Sequence, residues 1–235
     1  EGLIHEFADD IRMGAMKFHS DGSASECDQP EPFITYACDD PANKDGGQVI
    51  TEISRNAESA GHTDQLVSDI NDLVADSWTP LAEAFYTAVG YFTQREALRL
   101  NSDSDWTSAT APCTDWCQNN NILIITEGAS TADLNPDVID FATAADQHDE
   151  DATDPAAGCG SLYGGTFLDD LTYYAFTGDN IFLEDPYDAE AHFQNIKTYI
   201  VVAGTPRTEG TGECSPETLL NSAAANGGTD APYIA

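Results

Sequence analysis

Apolar positions divide this chain into short strand-like runs and longer helix-like segments, and the two kinds alternate. Two runs are apolar at every position, Ile122–Ile125 and Tyr199–Val202. An apolar run without polar alternation is typical of a parallel strand that is buried on both faces. We therefore predict that these two runs are adjacent parallel strands of one sheet. Strands that alternate with helices along a chain favour a wound α/β fold.

The same patterns place the remaining elements. Helical spacing or a β-branched run predicts helices over Gly2–Ala8, His62–Ala75, Thr79–Thr93, Pro136–Ala145, Phe167–Phe176 and Pro216–Asn226, and strands over Ile11–Phe18, Gln48–Ile53, Asn121–Thr126, Lys197–Ala203 and Ala231–Ile234. Thr63 is the predicted cap of the second helix, and Gly227-Gly228 is the predicted stop of the last one. The Thr79–Thr93 and Pro216–Asn226 helices are expected to cover the two apolar strands.

Six cysteines lie in regions rich in acidic, glycine and asparagine residues, and none has the spacing of a zinc or haem site. Proximity favours disulfides Cys27–Cys38 and Cys113–Cys117, which leaves Cys159–Cys214 by elimination. Disulfides indicate an oxidising compartment. The predicted fold is thus one α/β domain over residues 1–235, a doubly wound and mostly parallel sheet with long disulfide-bearing loop insertions.

Charge narrows the function classes. The chain has 42 Asp and Glu against 8 Lys and Arg, for a formal net charge of −34. Nucleic-acid backbones and anionic membranes both require basic side chains, so we expect neither as a partner. No run approaches the roughly 18 apolar residues of a membrane-spanning helix, so no membrane insertion is expected. The acidity suits an exported protein that is solvated by its surface charge, works in salt or holds divalent cations.

Three stretches carry a resemblance to a known family. Trp78–Phe92 has the sequence WTPLAEAFYTAVGYF, Ile122–Gly128 has ILIITEG, and Leu219–Ala235 has LLNSAAANGGTDAPYIA. In this order they resemble the von Willebrand factor A-like domain of type IV pilus tip-associated adhesins, the PilC/PilY group. The opening, GLIHEFADDIRMGAMKFHS, is similar to that family's first helix and the strand that follows it. The resemblance covers nearly the whole chain apart from its loops.

The resemblance implies a Rossmann-type sheet with a metal-ion-dependent adhesion site at its carboxyl end. Thr79 matches the family's metal-binding threonine, and Glu127 stands where the family has an aspartate. A divalent cation, Mg²⁺ or Ca²⁺, is the implied cofactor, and the two residues are expected within about 6 Å of each other if the site works. For each residue an alternative stays open: Thr79 as a helix cap, and Glu127 as a solvated carboxylate at the end of a strand.

The family's Asp-x-Ser-x-Ser motif has a literal match in Asp21, Ser23 and Ser25. That match precedes two prolines and a cysteine rather than a helix, and the family register puts the true motif upstream of Glu1. We therefore expect the family's first strand to be missing from this chain, which would leave a gap in the sheet. Either the chain is then part of a longer protein, which we favour, or another segment supplies the strand.

These observations predict an exported binding module, not an enzyme. It would be extracellular, at the cell surface or pilus tip after passage through the periplasm. It would act in adhesion, through a host or surface ligand, or in the capping and assembly of minor pilins or other pilus and surface proteins. The alternative is a structural component of a filament or surface assembly with a vestigial metal site.

Overall fold

The structure is a computed structural model that describes residues 2–19, 45–74, 78–101, 105–107, 111–115, 117–128, 130–144, 165–178, 194–204 and 215–235. Its elements are α1 (Gly2–Glu6), β1 (Met13–Phe18), β2 (Gly47–Ser54), α2 (His62–Asn71), α3 (Leu81–Thr93), a 3-10 turn (Glu96–Leu98), β3 (Asn120–Thr126), α4 (Pro136–Ala142), α5 (Leu168–Thr177), β4 (Ile196–Val202), α6 (Pro216–Asn226) and β5 (Tyr233–Ile234). Every predicted helix and strand in this range is present, within a few residues of its expected bounds.

The ends of the helices follow local chemistry. Helix α6 has the predicted bounds, and beyond it Gly228 adopts a φ of +81°, which favours glycine and ends the helix. The predicted cap of α2 is wrong. The chain enters α2 through Gly61, and Thr63 lies inside the helix, where its N–H donates to Asn56 Oδ1 at 2.9 Å.

The strands form two sheets. In the first, β3, β4 and β5 lie side by side and parallel, with Ile122 opposite Thr198 and Ile124 opposite Ile200. The prediction that the two apolar runs are adjacent parallel strands is confirmed. In the second, β1 and β2 form an antiparallel pair, and within the described ranges no backbone pairing joins it to the first. The architecture is mixed α/β with a small parallel sheet.

The core lies on one face of the parallel sheet. Side chains of α3, α5 and α6 pack there around Ile200 and Val202 of β4, together with the partly buried Ile122 and Ile124 of β3. On the opposite face Leu123 and Ile125 are 60% and 61% exposed. The prediction that β3 is buried on both faces is therefore wrong. Its apolar sequence allows such burial, but burial itself depends on which other segments return to cover the strand.

Cys113 and Cys117 are both free thiols, so the predicted disulfide between them is wrong. Cys113 is buried beside the start of β3, where its thiol donates to the Asp115 carbonyl and accepts from the Asn120 side-chain amide. Burial raises the pKa of this thiol. Cys117 is exposed instead. The other four cysteines lie outside the described residues.

No helix in the described ranges is both long enough and apolar enough to cross a membrane.

Candidate functional site

The amino end of α3 meets the loop that follows β3, at the carboxyl end of the parallel sheet. Two hydrogen bonds of the Thr79 main chain join them. The Thr79 N–H donates to Thr131 Oγ1 at 2.8 Å, and the Thr131 N–H donates to the Thr79 carbonyl at 3.0 Å. The Ser130 hydroxyl also reaches the Thr79 carbonyl, at 3.5 Å. The main chain at Thr79 is thus fixed against a loop some fifty residues further along the chain.

Asp133 of this loop caps α3. The first turn of a helix has N–H groups without partners inside the helix, and normally the side chain of the capping residue accepts from them. Here the residue at the cap position is Pro80, which has no side-chain acceptor. Asp133, which is distant in the sequence, takes that role. Its Oδ2 accepts from the Ala82 N–H at 2.9 Å, and its Oδ1 accepts from the Glu83 N–H at 3.0 Å.

The loop adopts a demanding conformation before Asp133. Ala132 has a φ of +51°, in the left-handed region that costs a residue other than glycine about 1–2 kcal/mol. The Ser130 hydroxyl then donates to Asp133 Oδ2. Because Ala132 is also buried, the surrounding packing holds this backbone in place.

Asp133 of the loop accepts hydrogen bonds from α3, whereas Glu83 of α3 accepts one from the loop. A glutamate at the third helical position usually accepts from the N–H of the cap residue, but a proline at the cap has no N–H to give. Glu83 Oε1 instead accepts from the Asn135 N–H at 3.0 Å. Asn135 Oδ1 in turn accepts from the Asp137 N–H and caps α4. Asp133 and Glu83 therefore fasten α3, the loop and α4 to one another.

Both carboxyl groups are almost completely buried, with residue exposures of 2% for Asp133 and 0% for Glu83. Burial raises the pKa of Asp133, and the hydrogen bonds from Ser130, Ala82 and Glu83 act in the opposite direction. The positive end of the α3 dipole favours a negative charge at this position. The arrangement ties the start of α3 to α4 and to the loop after β3, and Glu127 is exposed where β3 leads into this loop.

The structure places the two predicted site residues at this same end of the sheet. Thr79 is half-buried, and Glu127 is exposed directly after the last residue of β3. Their loops are joined through Ser130 and Thr131, but in the described part of the chain no hydrogen bond connects Thr79 with Glu127. Their approach to within about 6 Å stays a prediction. The capping role considered for Thr79 belongs to Asp133. Asp21, Ser23 and Ser25 lie outside the described residues.

The oxygen ligands that Thr79 and Glu127 offer at this end do not by themselves fit a divalent cation. Mg²⁺ requires nearly octahedral oxygen coordination and gives up its water reluctantly. Thr79 and Glu127 offer one hydroxyl and one carboxylate, while Asp133 is already committed to α3 and Ser130. Across the described ranges no group of three or more His, Cys, Asp or Glu side chains is arranged to hold a metal ion.

Sequence reasoning missed Asp133 and Glu83, although both had a visible signal. Glu83 is an acid in the first turn of a helix that starts with proline, and Asp133 ends a short polar segment, STAD, after an apolar strand. Their pairing was not visible, because nothing in local periodicity links residues fifty positions apart.

Comparison of the chain with protein-family models, with curated proteins and with solved structures found no match.

Proposed function

We propose that this chain is an exported binding module similar to the von Willebrand factor A-like domain of type IV pilus tip-associated adhesins. Its role would be adhesion, or the capping and assembly of minor pilins, at the pilus tip or cell surface. The finer fold expected with it is the doubly wound sheet of that family. The proposal rests on the three sequence stretches around Thr79, Glu127 and Gly227-Gly228.

The geometry at the carboxyl end of the parallel sheet supports this proposal. Wound α/β folds bind their ligands in that position. The first stretch meets there the loop that follows the second: this loop is bonded to Thr79 and caps α3. A surface whose main chain is held by buried bonds loses little conformational entropy when it binds a partner. Glu127 is an exposed acid on this surface.

A filament component with a vestigial metal site is the second candidate. It is favoured by glutamate at position 127, where the resemblance implies aspartate. One additional methylene displaces the carboxylate by about 1 Å or more, which exceeds what the coordination geometry of Mg²⁺ tolerates. Under this alternative the domain packs against its neighbours in the assembly, and neither Glu127 nor a metal ion contributes to that contact.

Binding to purified minor pilins distinguishes these candidates. We expect Glu127→Gln to weaken binding by about tenfold if Glu127 lies at the centre of the contact, since such residues carry 1–3 kcal/mol of binding energy. Glu6→Gln is the matched control, because Glu6 is also exposed but lies in α1, which packs against α2. Biolayer interferometry would measure both. Equal affinities of the two variants for a pilin that the chain binds would favour the structural role, and no binding to any minor pilin would reject the proposal.

Magnesium binding by this chain should be weak, on the order of millimolar, because one hydroxyl and one carboxylate cannot displace enough water from the ion. Isothermal calorimetry on the chain would measure the dissociation constant, with Thr79→Ala as the comparison. Micromolar binding would contradict this expectation. It would indicate that the Asp21, Ser23 and Ser25 stretch completes a site in this chain.

A further inference from the structure

The basic side chains of this chain neutralise little of its acidic charge. The sequence has 8 Lys and Arg against 42 Asp and Glu, so even one-to-one pairing would leave 34 carboxylates without a basic counterpart. Arg12 and Arg55 both form ion pairs with Glu58, and Arg99 forms an ion pair with Glu96. These three arginines thus engage only two carboxylates. A net charge of this size destabilises a compact state, because the carboxylates repel one another.

The helices show the same imbalance at their ends. The dipole of a helix favours acidic residues in the first turn and basic residues in the last turn. Each helix from α2 to α6 has an acidic residue in its first turn, but among the described residues none of these helices has a basic residue in its last turn. Asp72 instead lies at the carboxyl end of α2, and Asp140 lies in the last turn of α4, both of them exposed. At these two positions the helix dipole adds to the unfavourable effect of the net charge.

The repulsion between exposed charges depends on the ionic strength of the surroundings. Dissolved ions screen such charges over about 30 Å at 0.01 M salt and over about 3 Å at 1 M salt. The first distance is about the diameter of a small domain, whereas the second is shorter than the spacing of neighbouring side chains on a helix. Carboxylates on opposite sides of the domain therefore repel one another at low salt, and even neighbours are screened at high salt. The unfolded chain is more expanded, so the same charges destabilise it less.

We propose that ionic strength controls the stability of the folded chain, so that the domain is stable in saline surroundings and loses much of its stability in fresh water. Dissolved ions supply the screening that the chain's own basic side chains do not supply. A tightly bound divalent cation is the competing explanation, and a titration with calcium or magnesium separates the two. This inference does not depend on the proposed pilus role.

Thermal unfolding followed by circular dichroism tests this dependence on the unaltered chain. Raising sodium chloride from about 0.01 M to about 1 M should raise the melting temperature by about 10 °C or more. Screening depends on ionic strength, so sodium thiocyanate should give the same rise as sodium chloride up to about 0.3 M. An effect of salt on the hydration of apolar surface would instead differ between the two salts.

Asp72→Lys tests the charge from the protein side. It removes an exposed acid from the carboxyl end of α2 and supplies a basic residue there. At about 0.01 M salt it should raise the melting temperature by about 2–4 °C, and most of this gain should disappear at about 1 M salt. A gain from the better helix propensity of lysine would persist at every salt concentration. Glu217→Lys is the matched control, because it changes the net charge equally but places lysine in the first turn of α6, where the gain at low salt should be smaller.

Three results would overturn the proposal. Equal melting temperatures at low and high ionic strength would show that charge repulsion contributes little to the stability of the chain. A rise in sodium chloride without a rise in sodium thiocyanate would show that hydration, not screening, is responsible. The full rise with micromolar calcium or magnesium chloride at low ionic strength would assign the stabilisation to a bound cation.

Discussion

Replacing Asp133 with alanine should lower the free energy of unfolding by about 2–4 kcal/mol, one of the two largest effects expected in this chain. The substitution removes the acceptor of the Ala82 and Glu83 N–H groups, which lie in a buried helix end. A buried donor left without a partner costs about 1–3 kcal/mol, and loss of a helix cap alone costs about 1 kcal/mol. Urea unfolding followed by circular dichroism would measure the difference.

Asp137→Ala is the matched control for this prediction. Asp137 is an exposed acid in the first turn of α4, and its carboxylate is not the cap of that helix. Its replacement should change the free energy of unfolding by less than about 0.5 kcal/mol, as is usual for a surface substitution. If Asp133→Ala were equally mild, the junction between α3 and the loop would not be a determinant of stability.

Replacing Gly228 with alanine should destabilise the chain by about 2–4 kcal/mol, for two separate reasons. Gly228 has a φ of +81°, which costs alanine about 1–2 kcal/mol. A Cβ at this position would also overlap the ring of Phe176, a half-buried side chain of α5, and the ring would have to shift. Relief of such overlap typically costs about 1–3 kcal/mol. Thermal unfolding and urea titration would both report the change.

Gly61 offers a control that separates the two reasons. Its φ of +78° is nearly the same, but a Cβ there would meet no atom within 4 Å. Gly61→Ala should therefore show only the backbone effect, about 1–2 kcal/mol. The double variant Gly228→Ala with Phe176→Leu should recover part of the remaining loss. Similar effects of alanine at positions 61 and 228 would show that the contact with Phe176 is unimportant.

The two predictions explain why certain residues occur in the stretches that carry the family resemblance. In TPLAE, the proline leaves α3 without a local cap and Glu83 without its usual partner, and the loop after β3 supplies both interactions. In the Asn-Gly-Gly ending, Gly228 passes close to Phe176. The stretches therefore mark positions where α3 and α6 contact distant parts of the chain, as well as the surface proposed to bind a partner.

Periodicity alone determined where the helices and strands lie, because spacing of apolar residues is set by the geometry of each element. It also predicted that β3 and β4 are parallel neighbours, since apolar runs without polar alternation are typical of parallel strands. The stop of α6 at Gly227-Gly228 could also be predicted from local sequence, because of the conformational freedom of glycine.

Only the tertiary structure decided which face of β3 is covered, that Cys113 and Cys117 are unpaired, and that Asp133 rather than Thr79 caps α3. These features depend on contacts between residues far apart in the sequence. A buried carboxylate is stable only where distant donors converge on it, and an apolar side chain is covered only where another segment returns to it. Local sequence shows that Asp133 and Leu123 are capable of burial. The packing of α3 decides that Asp133 is buried, whereas Leu123 is exposed because no described segment covers its face of the sheet.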